Sequence, residues 1–171
     1  TEQVNIPDKP FRALVSFRNI DTVYARIIRI DTKELPNQYW EAGYWKKITS
    51  LETYRAFSQA LPVTNDYRQH AVEIKIDGLA VGRYALLCSN SPLFNDSLNK
   101  LSVQFFSVSN ISYVRNDHDF FVLNRENGQP LANVNVAIFN EQRLIVNKQT
   151  DRNGYFMYRE TNNRSRNIRY V

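Results

Sequence analysis

The chain has 171 residues, 43% hydrophobic and 23% charged, an ordinary make-up for a soluble globular protein of one domain or two small ones. Its net charge of +5 is a mild basic excess, and the positive residues are scattered among acids rather than striped, which argues against a nucleic-acid surface. The single cysteine, Cys88, excludes a disulfide framework and a cysteine-based metal site, and no apolar run approaches the ~18 residues that a membrane span needs.

Ten Tyr and ten Phe against five Gly and one Met favour strands over helices. In residues 11–17, Phe11, Ala13, Val15 and Phe17 alternate onto one face, the period of a half-buried strand. Asn19-Ile20-Asp21-Thr22 reads as a tight turn into a second strand at 23–30. After Leu35-Pro36-Asn37 come four large aromatics, Tyr39, Trp40, Tyr44 and Trp45. Exposed, they would make a platform for a sugar or a partner. Folded under a sandwich, they would be core, and the usual burial of Trp favours that reading.

Residues 50–61 are ambiguous: Leu51, Tyr54, Phe57 and Leu61 recur at near-helical spacing, which allows a short helix, and Leu61-Pro62-Val63 ends the segment either way. Residues 70–76 give the cleanest strand, with Val72, Ile74 and Ile76 inward and Glu73 and Lys75 outward, closed by the turn Asp77-Gly78. Leu79, Gly82 and Tyr84 then enter a strand at 83–89 in the manner of a sandwich corner, where the Tyr hydroxyl ties back to upstream backbone. Cys88 lies inside that apolar run and reads as a buried small hydrophobe. A polar loop with Pro92 covers 90–100, and a last strand covers 101–108. About seven strands in roughly 100 residues is the size of an immunoglobulin-like sandwich.

From residue 119 onward the punctuation is sharper. Asn127-Gly128 and Asn153-Gly154 are turn dipeptides, because Asn and Gly tolerate φ > 0. Pro130 cannot donate to a ladder and belongs between strands. Asp151 is placed to accept a hydrogen bond from the backbone two residues on. Val122, Leu123, Val134, Val136 and Ile138 fit half-buried strands. Arg159, Arg164, Arg166 and Arg169 form the densest basic cluster, read as a solvated end. Residues 168–171 look like the middle of a strand, and Thr1-Glu2-Gln3-Val4 is no signal peptide. The chain is therefore expected to be an excised piece of a longer polypeptide.

The stretch DFFVLNRENGQPLANVNVAIFN, followed by TDRNGYF, resembles the macroglobulin-like domains of the bacterial alpha-2-macroglobulin family. Other fibronectin-like modules use similar turns; the upstream succession VEIKIDGLAVGRYALLCS, a loop, a closing strand and the linker VSNI narrows the resemblance to a junction between two such domains. It runs from about Arg12 to Phe156 and is firmest after Val72. It implies an all-β chain of tandem immunoglobulin/fibronectin-like antiparallel sandwiches, one complete over residues 1–107 and a second begun over 108–171. It further implies a cell-envelope location, periplasmic or anchored to the outer membrane. The whole protein would be a broad-range peptidase inhibitor that traps proteases after a bait segment is cut. Neighbouring macroglobulin-like domains of the same chain would then be this piece's partners, and proteases the prey of the whole.

The family's reactive centre, where present, is a thioester in a Cys-Gly-Glu-Gln motif. Here Glu141-Gln142 follow Asn140, and Cys88 is followed by Ser89-Asn90, so the motif is absent. No Gly-x-Ser-x-Gly elbow and no Gly-Lys-Ser/Thr phosphate loop occurs. Asp117-His118-Asp119 reads as a polar turn, since chain neighbours do not converge on one substrate atom. His70 and His118 lack ligand spacing. Thr150, Asp151 and Asn153 offer oxygens but too few for Ca²⁺. No catalytic residue, metal or cofactor is expected. A second function of a different class remains open, an extracellular glycan- or protein-recognition module working through Tyr39, Trp40, Tyr44 and Trp45. Exposure and coplanarity of those rings would tell the two apart.

Overall fold

Strong strand formers on a period of two build almost all of the regular structure. A computed structural model describes residues 3–30, 43–95, 97–140, 143–159 and 168–170, which fall into two units, Thr1–Ser109 and Asn110–Val171.

The first unit contains β1 (Val4–Asn5), β2 (Phe11–Phe17), β3 (Thr22–Arg29), helix α1 (Tyr44–Ser50), β4 (Thr53–Ala60), β5 (His70–Ile76), β6 (Gly82–Ser89) and β7 (Leu101–Val108). A five-stranded sheet in the order β1-β7-β6-β3-β4 faces a two-stranded sheet, β2-β5. Every pair is antiparallel except β1–β7. The alternation of β2 and β5 decides which side faces inward. Ala13 sits opposite Ile74 and Phe11 opposite Ile76, and these side chains pack against Val23 and Ile27 of β3 and Tyr84 and Leu86 of β6. The inward face of Val72, Ile74 and Ile76 is as the period requires, with Ile74 and Ile76 each 1% exposed.

Strand β6 lies at the centre and is buried from Tyr84 through Ser89. Both its faces are covered. Tyr84, Leu86 and Cys88 point into the sandwich, while Ala85 and Leu87 meet Ile28, Tyr44, Ile48 and Phe94 on the other side. A strand covered on both faces reads as a continuous apolar run rather than an alternating one. The expected corner is present: the Tyr84 hydroxyl donates to the Ala80 carbonyl at 2.9 Å, and burial raises the pKa of that phenol.

The ambiguity of residues 50–61 resolves as a strand, not a helix. The helix lies earlier, over Tyr44–Ser50, entered from Gly43 at φ +83°. Thr53–Ala60 is a strand, paired with β3 from Thr22↔Ala60 to Ile28↔Thr53. The spacing of Leu51, Tyr54, Phe57 and Leu61 does not describe one face, since Tyr54 is 48% exposed while Leu61 is buried beyond the strand's end. Cross-strand pairing outweighs the weak helical period, and Thr, Tyr and Phe suit a pleated surface. The 90–100 loop also differs from a purely polar one. Its Phe94, at φ +51°, is 5% exposed and lies beneath the Arg26 guanidinium, 4.1 Å from its ring centroid.

The second unit contains β8 (Ile111–Asn116), β9 (Asp119–Asn124), β10 (Asn135–Asn140), β11 (Arg143–Gln149), β12 (Tyr155–Met157) and β13 (Ile168–Tyr170). Two three-stranded sheets, β12-β9-β8 and β11-β10-β13, enclose its core. Phe120, Val122, Val136, Ile138 and Phe156 form that core, with the Phe120 and Phe156 rings stacked at 4.7 Å. Asp117 and His118 make the turn from β8 to β9, Asp117 at φ +52°. Gly128 at φ +72° and Gly154 at φ +71° carry the left-handed turns their dipeptides announced. The basic end is not wholly a solvated tail. Ile168–Tyr170 pairs with β10, Asn140↔Ile168 through Ile138↔Tyr170, whereas Arg159 is exposed and Arg164 and Arg166 lie outside the described residues.

Candidate functional site

Of the four aromatics singled out as partner contacts, Tyr39 and Trp40 lie outside the described residues. Tyr44 is 3% exposed, and burial raises its pKa. Trp45 is half-buried against the outer cluster of the five-stranded sheet. The two rings meet edge-on, with centroids 5.4 Å apart and an interplanar angle of 89°. They therefore offer no shared flat face on which a sugar or a partner ring could stack.

The groups able to do chemistry are occupied or dispersed. Burial pushes the Cys88 thiol up to about 11, so it stays protonated, and a poor nucleophile, near neutral pH. His70 Nε2 lies 2.9 Å from Asp66 Oδ1. Hydrogen bonds from that ring and from the Arg68 amide hold the Asp66 carboxyl below its usual range. His118 Nε2 is 3.4 Å from Asp117 Oδ2 in its own turn. Among the described residues no three His, Cys, Asp or Glu side chains gather as a metal would need.

The oxygens of the 150–153 turn are spent on backbone. Asp151 Oδ1 accepts from the amides of Asn153 (2.8 Å) and Tyr155 (2.9 Å). Thr150, 2% exposed, accepts at Oγ1 from the Val134 amide at 2.9 Å and donates to the Leu131 carbonyl at 2.6 Å. No sequence period flags this threonine; its hydroxyl pins Leu131 and Val134, the loop that leads from the Gly-Gln-Pro-Leu turn into β10. Thr150→Val keeps the shape but leaves a partly buried amide and a partly buried carbonyl without this partner, which should cost about 1–2 kcal/mol. Urea melts should show a lower midpoint and amide exchange a faster Val134, with Thr150→Ser restoring both. An unshifted midpoint for the valine variant would mean the hydroxyl is not needed.

Among the described residues, the first unit also carries three hollows. One, about 400 Å³, is walled by Val15, Ser16, Phe17 and Arg18 on one side and by Leu101 and Ser102 on another. A second, about 320 Å³, lies at the start of the same strand, between Asn5 and Ile6 and the run from Lys9 to Arg12. The third, about 680 Å³, adjoins the first through Ile20 and Asn90 and is lined by Asn19, Asp21, Asn65 and Tyr67. Asn19, Asn65 and Tyr67 there are left-handed, at φ +49°, +49° and +57°. Two of the three hollows thus border strand β2.

No protein-family model matches the chain, and no curated protein sequence matches it. Among solved structures, native alpha-2-macroglobulin from Escherichia coli, in a crystal structure spanning domains MG0-NIE-MG1, superposes with a TM-score of 0.66 at 16% sequence identity. The fold is that of macroglobulin-like domains. The match covers 92% of this chain and 55% of the solved one, so the chain spans little more than half the length of that fragment. The all-β, immunoglobulin-like fold that the resemblance implied is thereby matched in a solved protein. Among the described residues no helix is long and apolar enough to cross a membrane.

Proposed function

We propose that this chain is part of the amino-terminal region of a larger bacterial alpha-2-macroglobulin-like protein in the cell envelope, a broad-range peptidase inhibitor, and that its own task is architectural. The observation that carries the reading is the fold likeness running through 92% of the chain, across both units rather than one. In such a protein, consecutive rigid sandwiches space and orient the parts that meet a protease, and neighbouring domains of the same polypeptide are the partners. The buried Cys88 thiol, the dispersed histidines and the spent oxygens of the Thr150–Asp151 turn fit a part without chemistry of its own.

The test compares the 171-residue chain with the protein encoded by its complete reading frame. Each is mixed with an endopeptidase, and cleavage is followed on a large protein substrate and on a small chromogenic peptide. A trap shields the protease from the large substrate and leaves the small one accessible. The complete protein is expected to behave so, and the 171-residue chain to affect neither reaction. Inhibition by the short chain alone, or none by the complete protein, would overturn the reading.

A further inference from the structure

Among the described residues, strand β2 is hydrogen-bonded on one side only. Its seven residues pair with β5 in unbroken register from Phe11↔Ile76 to Phe17↔His70, and among the described residues no strand takes its other edge. A hollow lies along this edge at the strand's end. Val15, Ser16, Phe17 and Arg18 all line it. Consecutive residues point to opposite faces of a sheet, so a cavity touched by four in a row lies along the strand's edge, not on a face. No residue of β5 lines it.

The opposing wall is the uncovered margin of the wider sheet. Two strands cannot roof five, and beyond β2 the inner side of β7 is left bare at Ser102, which is exposed. The second hollow continues the gap at the strand's start, beside Asn5 of β1 and Phe11. The gap therefore follows β2 at both ends. Natural edges are blunted by proline, bulges or inward charges; β2 has no proline and no register shift, and its inner face is wholly apolar.

We propose that this edge binds an extended, acidic segment of another polypeptide, which adds as a third strand to β2-β5 and roofs the bare margin of β7. Backbone pairing along β2 supplies the register, as in other strand-addition complexes. Charge selects the occupant. Neither hollow is lined by an Asp or Glu, whereas Lys9 and Arg12 border one and Arg18 and Lys100 the other. Arg12 is held by Glu73 at 2.6 Å, but the side chains of Arg18 and Lys100 are exposed and have no partner among the described residues. A bound strand with carboxylates at alternate positions would place them toward this rim and its apolar residues over Phe17 and Val23.

The experiment titrates the 171-residue chain into a fluorescein-labelled eight-residue peptide alternating Asp and Val, with a peptide alternating Lys and Val as control, and reads anisotropy. The acidic peptide should saturate and the basic one should not. The double variant Arg18→Glu, Lys100→Glu, exposed at both positions and so expected to fold, should weaken the acidic peptide at least about tenfold and admit the basic one. Amide exchange at residues 15–18 should slow when the acidic peptide is bound. Equal binding of both peptides, no binding of either, an unaffected double variant, or protection confined to other strands would each overturn the proposal. So would light scattering that shows a dimer with the same amides already protected, since a second copy of the chain would then own the edge.

Discussion

Gly154→Val is expected to unfold the second unit or bring it close to unfolding. A Cβ at this position would lie 2.3 Å from the Val122 carbonyl oxygen and 3.1 Å from the Leu131 nitrogen. Those two atoms are bonded to each other, the Leu131 amide donating to Val122 at 2.9 Å, and the Val122 amide in turn donates to the Gly154 carbonyl at 2.7 Å. A side chain here must displace the middle of β9, which carries the core residues Phe120 and Val122. The left-handed φ of +71° adds its own penalty. Conformation contributes about 1–2 kcal/mol and displacement of packed backbone about 1–3 kcal/mol, together a large share of a small domain's stability. Gly128→Val is the control, since at φ +72° it meets nothing within 4 Å and should pay the conformational part alone. Urea melts by far-UV circular dichroism, with amide exchange at Val122 and Phe156, read the difference. Equal midpoints for the two valine variants would refute the close approach.

Turns were the most legible feature of the sequence, because their chemistry is local. Asn127-Gly128 and Asn153-Gly154 need only the tolerance of Asn and Gly for positive φ, and the Asp151 side chain bonds the Asn153 amide two residues on, at 2.8 Å. Strands with one wet face were nearly as clear; Glu73 and Lys75 mark the outside of β5 as plainly as Ile74 and Ile76 mark the inside. Residues 50–61 stayed ambiguous because four apolar residues fitted a helical spacing, while the decisive fact, pairing with β3, depends on residues some thirty positions earlier. Phe94 was hidden among polar neighbours for the same reason: its burial is decided by Arg26 and the outer cluster of the five-stranded sheet.

The candidate edge was less legible still. The turn at residues 19–21 suggested nothing about which sheet each flanking strand would join, and β2 and β3 in fact enter different sheets. An unpaired edge is a property of sheet order, not of the strand's own residues. A free edge would have needed the whole topology, and the bare margin beside it the mismatch of two strands against five. What the sequence did carry was the absence of protection: seven residues without proline, their one internal cation, Arg12, near the start.

Ile74→Ala is expected to be the most damaging truncation in β5, at about 2–5 kcal/mol from lost transfer energy and the cavity left behind. Ile74 is 1% exposed, sits opposite Ala13, and belongs to the core shared by both sheets of the first unit. Ala13 is too small to fill the space, and β2, open along its other edge, is the element with least to hold it against the gap. Glu73→Ala, one residue away, removes only an exposed pair with Arg12 and should cost about 0–1 kcal/mol. Both tryptophans, Trp40 and Trp45, belong to this unit, so intrinsic emission during a urea melt reports on it directly. A one-residue slip of β5 would exchange the two faces and reverse the order of the two variants. A larger loss for Glu73→Ala than for Ile74→Ala would therefore show the register to be wrong, and with it the placement of the β2 edge.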